Sequence, residues 1–330
     1  MRKSYPSFSA LPVASEGPRG NAWELWGPDD QLGTLNHLTA ERVQVAAREE
    51  IRTGERVSLN WTLEGASYPR FQHPRKRVEV TLMNKLPRVH AFDDEWSFNT
   101  QCSSQWDGCR HYAYQEEGLY YMGRKANDFE TSKIPNSIHH MAQSGIAGRA
   151  FFLDWYHWAT KVQGREIDAT SSYFISFSEL KETAVHQGSS LDTMRTGDIL
   201  IIRSGYLAQY ASMSEEKRAR LDHEYEITKP SNIGAEASEE LLSFLWDKQI
   251  AAVAGDSRSF EAWPCPEEKK QWHLHQWLLA GWGMPIGELW DLEGLSEVAR
   301  RLGRYTFFLT SAPMNVPGGV ASPPNALAFF

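Results

Sequence analysis

Gly197-Asp-Ile-Leu-Ile-Ile-Arg-Ser-Gly205 is a turn, four unbroken apolar residues and a second polar turn. A strand with one face in water alternates apolar and polar residues. Ile199-Leu-Ile-Ile202 does not alternate, so it predicts a strand buried on both faces, inside a sheet covered by helices. Downstream, 236–248 predicts a helix, 250–254 another buried strand, 267–280 and 292–302 two more helices, and 305–310 a last strand. Upstream, Ser176-Phe-Ser-Glu179 has the form of a capping box opening a helix to about His186, with Gly188 as its stop, and 150–153 predicts a strand. The first third is more strand-like: a helix over 39–53, capped by Thr39, precedes strands over 57–63 and 78–83, the second with Val78, Val80 and Leu82 on one face. Strands and helices that alternate after a strand-rich start imply an α/β fold with a mixed β-sheet core and flanking helices. With no repeat and no Pro/Gly/Ser-rich linker, residues 1–330 are expected to form a single domain. Residues 1–55 would be a loop-rich arm with one helix, and residues 313–330 an irregular C-terminal arm.

Composition narrows the function. The chain has 330 residues, a formal net charge of −8 and no long basic run, which argues against nucleic acid or a membrane surface as its partner. The nearest basic cluster, Pro74-Arg75-Lys76-Arg77, is expected to be a solvated loop. Three cysteines (Cys102, Cys109 and Cys265) supply no disulfide framework. There is no signal-like apolar segment at the start and no run long enough to span a bilayer, so a cytoplasmic location is expected. No Gly-x-Ser-x-Gly elbow, phosphate-binding loop, dinucleotide fingerprint or paired-cysteine zinc motif occurs, and no organic cofactor is expected.

Two clusters carry chemical potential. In Asn99-Thr-Gln-Cys-Ser-Ser-Gln105-Trp-Asp107-Gly-Cys-Arg-His111, residues Gln101, Ser103, Gln105, Asp107 and His111 share parity. On an extended chain they would point one way, toward water, a ligand or a metal. Gly108 would supply a bend for close approach to a ligand. The second cluster is Trp272-His-Leu-His275-Gln-Trp-Leu-Leu279, followed by Glu288 in a loop after Pro285 and Gly287. On one helix His273 and His275 would face different ways. Asp256 and Arg203 follow buried strands, where open α/β sheets present ligand-binding residues, and His139-His140 would diverge.

The first cluster resembles the His-x-Gly-Thr-His-x-Asp-x-Pro-x-His motif of the cyclase/kynurenine formamidase family of metal-dependent hydrolases. Asp107 and His111 match its Asp and last His. Gln101 and Gln105 stand where it has its first two His, Ser103 and Ser104 replace Gly-Thr, and Cys109 replaces Pro. The segment from His275 through Leu278-Leu279 to Glu288 resembles the family's later His-x-x-Leu-Leu…Glu. So do Trp26-Gly-Pro-Asp-Asp-Gln-Leu-Gly-Thr-Leu-Asn36, Gly148-Arg-Ala-Phe-Phe-Leu-Asp154 and the end from Ser311 to Asn325, which is similar to a longer fungal and bacterial branch.

The resemblance implies a swivelling β/β/α fold and homodimers or homotetramers. It also implies a divalent metal (manganese or zinc, or magnesium) on Gln101, Gln105, Asp107, His275 and Glu288. His111 would move protons, with Asp107 and Glu288 also in the catalytic set. Glutamine offers only a neutral amide oxygen, which suits a harder ion than zinc. The expected activity is hydrolysis or cyclisation at an amide or lactone of a small aromatic or polycyclic metabolite, the aromatic part suggested by Trp106, Tyr112, Trp155 and Trp263. The alternatives are a metal-free cyclase or lyase using His111 and Asp107, and a catalytically inactive protein that binds a small molecule or a partner.

Overall fold

The structure, a computed structural model, describes residues 5–65, 70–71, 73–227 and 231–330. Nine strands form one sheet: β1 (Arg56–Ser58), β2 (Gln105–Asp107), β3 (Ile146–Leu153), β4 (Ile199–Ile202), β5 (Ala252–Gly255), β6 (Ile286–Glu288), β7 (Thr306–Ser311), β8 (Ala321–Ser322) and β9 (Ala326–Phe329). Their order across the sheet is β1-β9-β7-β3-β4-β5-β6-β2-β8. β3, β4, β5 and β6 are parallel neighbours, and antiparallel pairs extend the sheet on both sides, β7 against β3 and β2 against β6. The α/β fold with a mixed sheet and flanking helices expected from the sequence is therefore what the chain forms.

Helix α1 (Ala40–Glu50) starts where the Thr39 side chain accepts from the Arg42 amide. Helices α2 (Phe177–His186) and α3 (Glu239–Asp247) make the crossovers β3-α2-β4 and β4-α3-β5, and α4 (Glu293–Leu302) precedes β7. Ser176 and Glu179 form the expected capping box, and Ser238 caps α3.

The unbroken run in β4 is explained by the two core clusters. Phe151, Leu153, Leu200, Ile202, Val253 and Ile286 pack with α2 and α3 on one side of the sheet. Ala150, Phe152, Ile199, Ile201, Ala252 and Ala254 pack on the other. β3, β4 and β5 thus feed both layers, and each large aliphatic side chain contributes about 1.5–3 kcal/mol of burial.

Four expectations need correction or refinement. The C-terminal tail is not an irregular arm, because β8 and β9 belong to the main sheet and β9 joins β1 to β7. The helix expected over 267–280 is broken: a 3-10 helix (Glu267–Trp272) ends at His273, whose backbone turns out to ψ 113, and a π-helix (Gln276–Gly281) follows. The strand expected over 78–83 forms, shifted to Glu79–Asn84, but among the described residues it pairs only with Phe92–Ser97, in a two-stranded hairpin exposed along its whole length. Arg75 is not part of a solvated loop: it is half-buried and its Nη1 donates to the Gln101 carbonyl at 3.0 Å.

The N-terminal segment is stitched down by Asp30, which accepts from the Gly33 amide at 2.7 Å and from the Tyr121 hydroxyl at 2.8 Å. Gly33 itself, at φ +53, lies so close to the Gly283 backbone that a Cβ would sit 2.4 Å from the Gly283 carbonyl oxygen. Nearby, His37 is buried edge-on to the rings of Tyr5 and Trp26. Burial, then Arg42, pushes its pKa down to about 4. Between that value and the ordinary 6.5 the unfolded chain binds a proton that the folded chain does not, so stability falls as pH drops through this window. His37→Phe is expected to remove about 1–2 kcal/mol of the stability difference between pH 7 and pH 5, read from urea midpoints at the two pH values.

Candidate active site

β2 and β6 lie side by side with Gln105 opposite Glu288 and Asp107 opposite Ile286, so Gln105, Asp107 and Glu288 emerge on one face. All three are buried. The chain then leaves β2 through Gly108, and a turn in which the His111 amide donates to the Gly108 carbonyl brings the His111 ring back toward Asp107. A Cβ on Gly108 would meet the Val320 carbonyl at 2.8 Å, so its smallness serves the packing of β8 and not the approach of a ligand. The parity expected over 101–111 holds only within β2. Gln101 reaches Asp107 from a turn, while Ser103 turns away to donate to the Thr62 carbonyl.

His275 arrives from the segment between the 3-10 and π-helices. Glu261, buried and unremarked in the sequence, fixes it twice: one oxygen accepts from the His275 amide at 3.1 Å, the other lies 2.7 Å from Nδ1. Nε2 is thereby directed at the carboxylates, 3.2 Å from Glu288 Oε1 and 4.0 Å from Asp107 Oδ2. His111 Nε2 lies 3.7 Å from the same Asp107 oxygen. Ligand atoms of Asp107, His111 and His275 all lie within 4.8 Å of one another. The break at His273 also corrects the expectation that the two neighbouring histidines diverge, since His273 Nδ1 is 3.4 Å from Glu261.

Hydrogen bonds tie the carboxylates together. Gln101 Nε2 donates to Asp107 Oδ1 at 2.7 Å, and Gln105 Nε2 bridges Asp107 Oδ1 at 3.2 Å and Glu288 Oε2 at 2.9 Å. Three buried oxygens, Asp107 Oδ2, Gln105 Oε1 and Glu288 Oε1, are left without a hydrogen bond of good geometry. A buried acceptor without a donor is costly, and the three orphans belong to the same cluster.

The electrostatics follow from three acids in a dry place. Burial raises the pKa of Asp107, and burial together with the Asp107 charge raises that of Glu288. Burial works against a charge on His275, but Glu261 and then Glu288 outweigh it and hold the imidazole well above its ordinary value. Glu261 resists the upward push of burial through that same partner and falls to about 2. His111 moves the other way, down to about 3, through burial and the neighbouring His275 charge, and is neutral at pH 7. The Arg75 guanidinium also acts on Asp107, lowering its pKa against the effect of burial.

A cleft of about 900 Å³ opens beside this cluster. Tyr112 and His273, stacked with ring centroids 5.4 Å apart, form its inner wall, and the Tyr112 ring lies 5.4 Å from that of His275. Trp263, Trp277, Arg19 and Lys270 line it further out. Of the other aromatic residues singled out in the sequence, Trp106 and Trp155 are core. Asp256 is structural, accepting from the Ser204 and Gly205 amides, and Arg203 is held by Asp154 and Glu293. The His139 and His140 rings do not diverge but lie 3.9 Å apart.

A family profile described as putative cyclase matches residues 57–262. The crystal structure of a novel cyclase superposes with a TM-score of 0.78 at 27% sequence identity, covering 94% of this chain and 99% of that one. Isatin hydrolase A from Ralstonia solanacearum has a TM-score of 0.55 at 14% identity, with 88% and 97% covered. The enzyme of the same name from Labrenzia aggregata, bound to benzyl benzoate, has 0.56 at 15%, with 89% and 98% covered. At those two identities the likeness is one of fold. No curated protein matches the chain.

Proposed function

The chain belongs to the putative cyclase family, a family of enzymes, and from that premise we propose that it opens or closes an amide or lactone bond at a divalent-metal centre. The observation that carries this reading is the convergence of Asp107 Oδ2, an orphaned buried acceptor, with His275 Nε2 and His111 Nε2 amid three buried acids. A site whose imidazole is held charged by surrounding carboxylates calls for positive charge, and a divalent cation satisfies that need better than a proton. The donor set fits such an ion. Asp107 and His275 would hold it, with Glu288 and the free Gln105 oxygen beside them, and Glu261 supplies the carboxylate that metal-binding imidazoles usually have on their other nitrogen. The oxygen-rich set favours manganese or magnesium over zinc. Gln101 presents its amide nitrogen and orients Asp107.

A divalent ion held there supplies Lewis acidity toward a carbonyl and makes water more acidic. The protein does the rest. His111, neutral and 20% exposed, accepts a proton at Nε2 and returns it to the leaving nitrogen or oxygen. Tyr112, Trp263 and Trp277 offer flat apolar walls suited to an aromatic or polycyclic substrate, and Arg19 and Lys270 offer positive charge at the mouth. Turnover of aromatic amides and lactones that is lost in His111→Ala, with the fold retained, supports these roles, and near-normal rates in that variant reject them.

A second reading has its own observation. The amide nitrogens of Gln101 and Gln105 already donate to both carboxylates, so a metal-free acid/base centre on His111 and Asp107 is chemically coherent. Activity that survives exhaustive chelation selects it. The two readings also differ in pH behaviour. A cation must displace the proton on His275, whose pKa is raised, so apparent affinity for manganese is expected to weaken as pH falls from 8 to 6, with protons released on binding. Titration calorimetry in buffers of different ionisation enthalpy measures both.

A further inference from the structure

The basic run Pro74-Arg75-Lys76-Arg77 has no part in the chemistry proposed above, yet its first arginine turns inward. Lys76 and Arg77 are exposed, whereas Arg75 is half-buried and its Nη1 donates to the Gln101 carbonyl at 3.0 Å. The Gln101 side chain in turn holds Asp107 at 2.7 Å and lies 3.3 Å from Nδ1 of His111. A single residue thus links the guanidinium to both the acid and the proton carrier. A second arginine, Arg258, comes from the loop after β5. In that loop the Ser257 carbonyl accepts from the Leu289 amide at 2.9 Å, which ties it to the residue next to Glu288. The two arginines therefore approach the centre from the Gln101 turn and from the Glu288 end. Burial pushes the Arg75 pKa down, Asp107 and Glu288 push it back up, and the Arg258 charge adds to the downward push.

We infer that Arg75, backed by Arg258, is the carboxylate-binding residue of the centre, and that its ligand is the acid formed when a lactone or cyclic amide is opened, or consumed when the ring is closed. The inference rests on the reading of the site as a metal-dependent hydrolase or cyclase centre. With Asp107, Glu261 and Glu288 ionised and His111 neutral, the protonated His275, Arg75 and Arg258 balance the three acids. A divalent ion in place of the His275 proton leaves the described residues with one positive charge too many, in a dry setting where an unbalanced charge is costly. Ring opening supplies the missing negative charge. The oxygen of water bonds to the carbonyl carbon, the C–O or C–N bond breaks, the leaving atom takes a proton, and the new carboxyl group loses one at neutral pH. A neutral substrate thereby becomes an anion, and a planar guanidinium is suited to both oxygens of a carboxylate.

Titration calorimetry of the manganese-loaded protein tests this with two probes. One is 2-hydroxyphenylacetate, the acid that opening of the aromatic lactone 2-coumaranone yields, and the other is its neutral relative 2-hydroxyphenylacetamide. The wild type is expected to bind the acid about 10–100-fold more tightly than the amide, the difference a charge-assisted bond makes. Arg75→Met should bring that preference to within about threefold while still binding the amide, and Arg75→Lys should keep part of it. Should Arg75→Met not fold, Arg258→Met decides, because the bond of its loop to Leu289 is made by the Ser257 backbone: a preference reduced about three- to tenfold is expected, and an unchanged one overturns the inference.

An arginine that only balances the acids would change manganese affinity in Arg75→Met and leave the preference for acid over amide intact. That outcome overturns the inference, and so does a wild type that binds the acid no better than the amide. A preference that survives in Arg75→Met but vanishes when manganese is removed puts the carboxylate on the cation, and overturns it as well. Acid binding that needs Arg75 in a wild type unable to take up manganese keeps the carboxylate site and rejects the metal reading instead.

Discussion

Asp107→Asn is expected to lower kcat/KM by at least about 10³-fold, or ~4 kcal/mol of transition-state stabilisation, while leaving the fold as stable as the wild type or more so. The two effects have one cause. The Asp107 carboxylate is buried, and its pKa is raised by that burial, which means that the folded protein holds the negative charge at a cost. An isosteric amide removes the charge and keeps an oxygen to accept from Gln101 and Gln105. It also removes the anionic oxygen that His111 and His275 face at 3.7 and 4.0 Å. A residue kept for packing would lose stability on substitution. One kept for chemistry loses activity and gains stability. Steady-state kinetics alongside urea denaturation separates the two cases, and a variant that is both active and destabilised would place Asp107 in the scaffold.

Glu261→Gln is the second large effect, about 10–100-fold in kcat, the range seen when a carboxylate behind a ligating imidazole is removed. Glu261 touches neither the cleft mouth nor the Asp107 oxygen. It acts through His275, by a 2.7 Å contact to Nδ1 and a 3.1 Å bond from the amide. Glutamine keeps one acceptor but puts an NH2 group where the second was, so the ring loses either its orientation or its anionic partner. Because Glu261 is the main group holding the His275 pKa up, the variant's imidazole should titrate lower. An NMR titration of the His275 ring then reads a downward shift that loss of packing alone would not produce. An unchanged titration with a lowered kcat would mean that Glu261 serves only the backbone.

Much of the fold was legible because β4 and β5 are buried on both faces and their composition says so without help from any partner. The same logic failed at the C-terminus. β8 and β9 have two and four residues, lie among Pro313, Pro317, Pro323 and Pro324, and become strands only because β2 and β7 offer them free edges. The apolar stripe of Val78, Val80 and Leu82 was visible, but periodicity reports that a face is apolar and not what covers it.

The candidate site was half legible. Asp107, His111, His275 and Glu288 stood out as polar residues of two clusters, the family resemblance joined them into one set, and the fold brings them together from β2, the turn after it, the segment before the π-helix and β6. Glu261 could not be named, since it stands in Glu261-Ala-Trp-Pro-Cys-Pro-Glu-Glu268, where acids are common and nothing local distinguishes the buried one. Its partner lies 14 residues on, beyond a backbone break at His273 that an apolar, tryptophan-rich run disguises as continuous helix. Arg75 was hidden for the opposite reason: among three basic residues in a row it looks solvated, and only the hairpin that begins beside it turns the guanidinium inward.

The proposed centre requires a cation held between Asp107 and His275. Its most direct test is elemental analysis of protein purified without chelators from medium containing manganese, magnesium and zinc, with His275→Ala prepared in parallel. The expected result is about one divalent ion per wild-type chain and a loss of most of it in the variant. A wild type that carries no ion, or a variant that carries as much as the wild type, contradicts a metal centre at these residues.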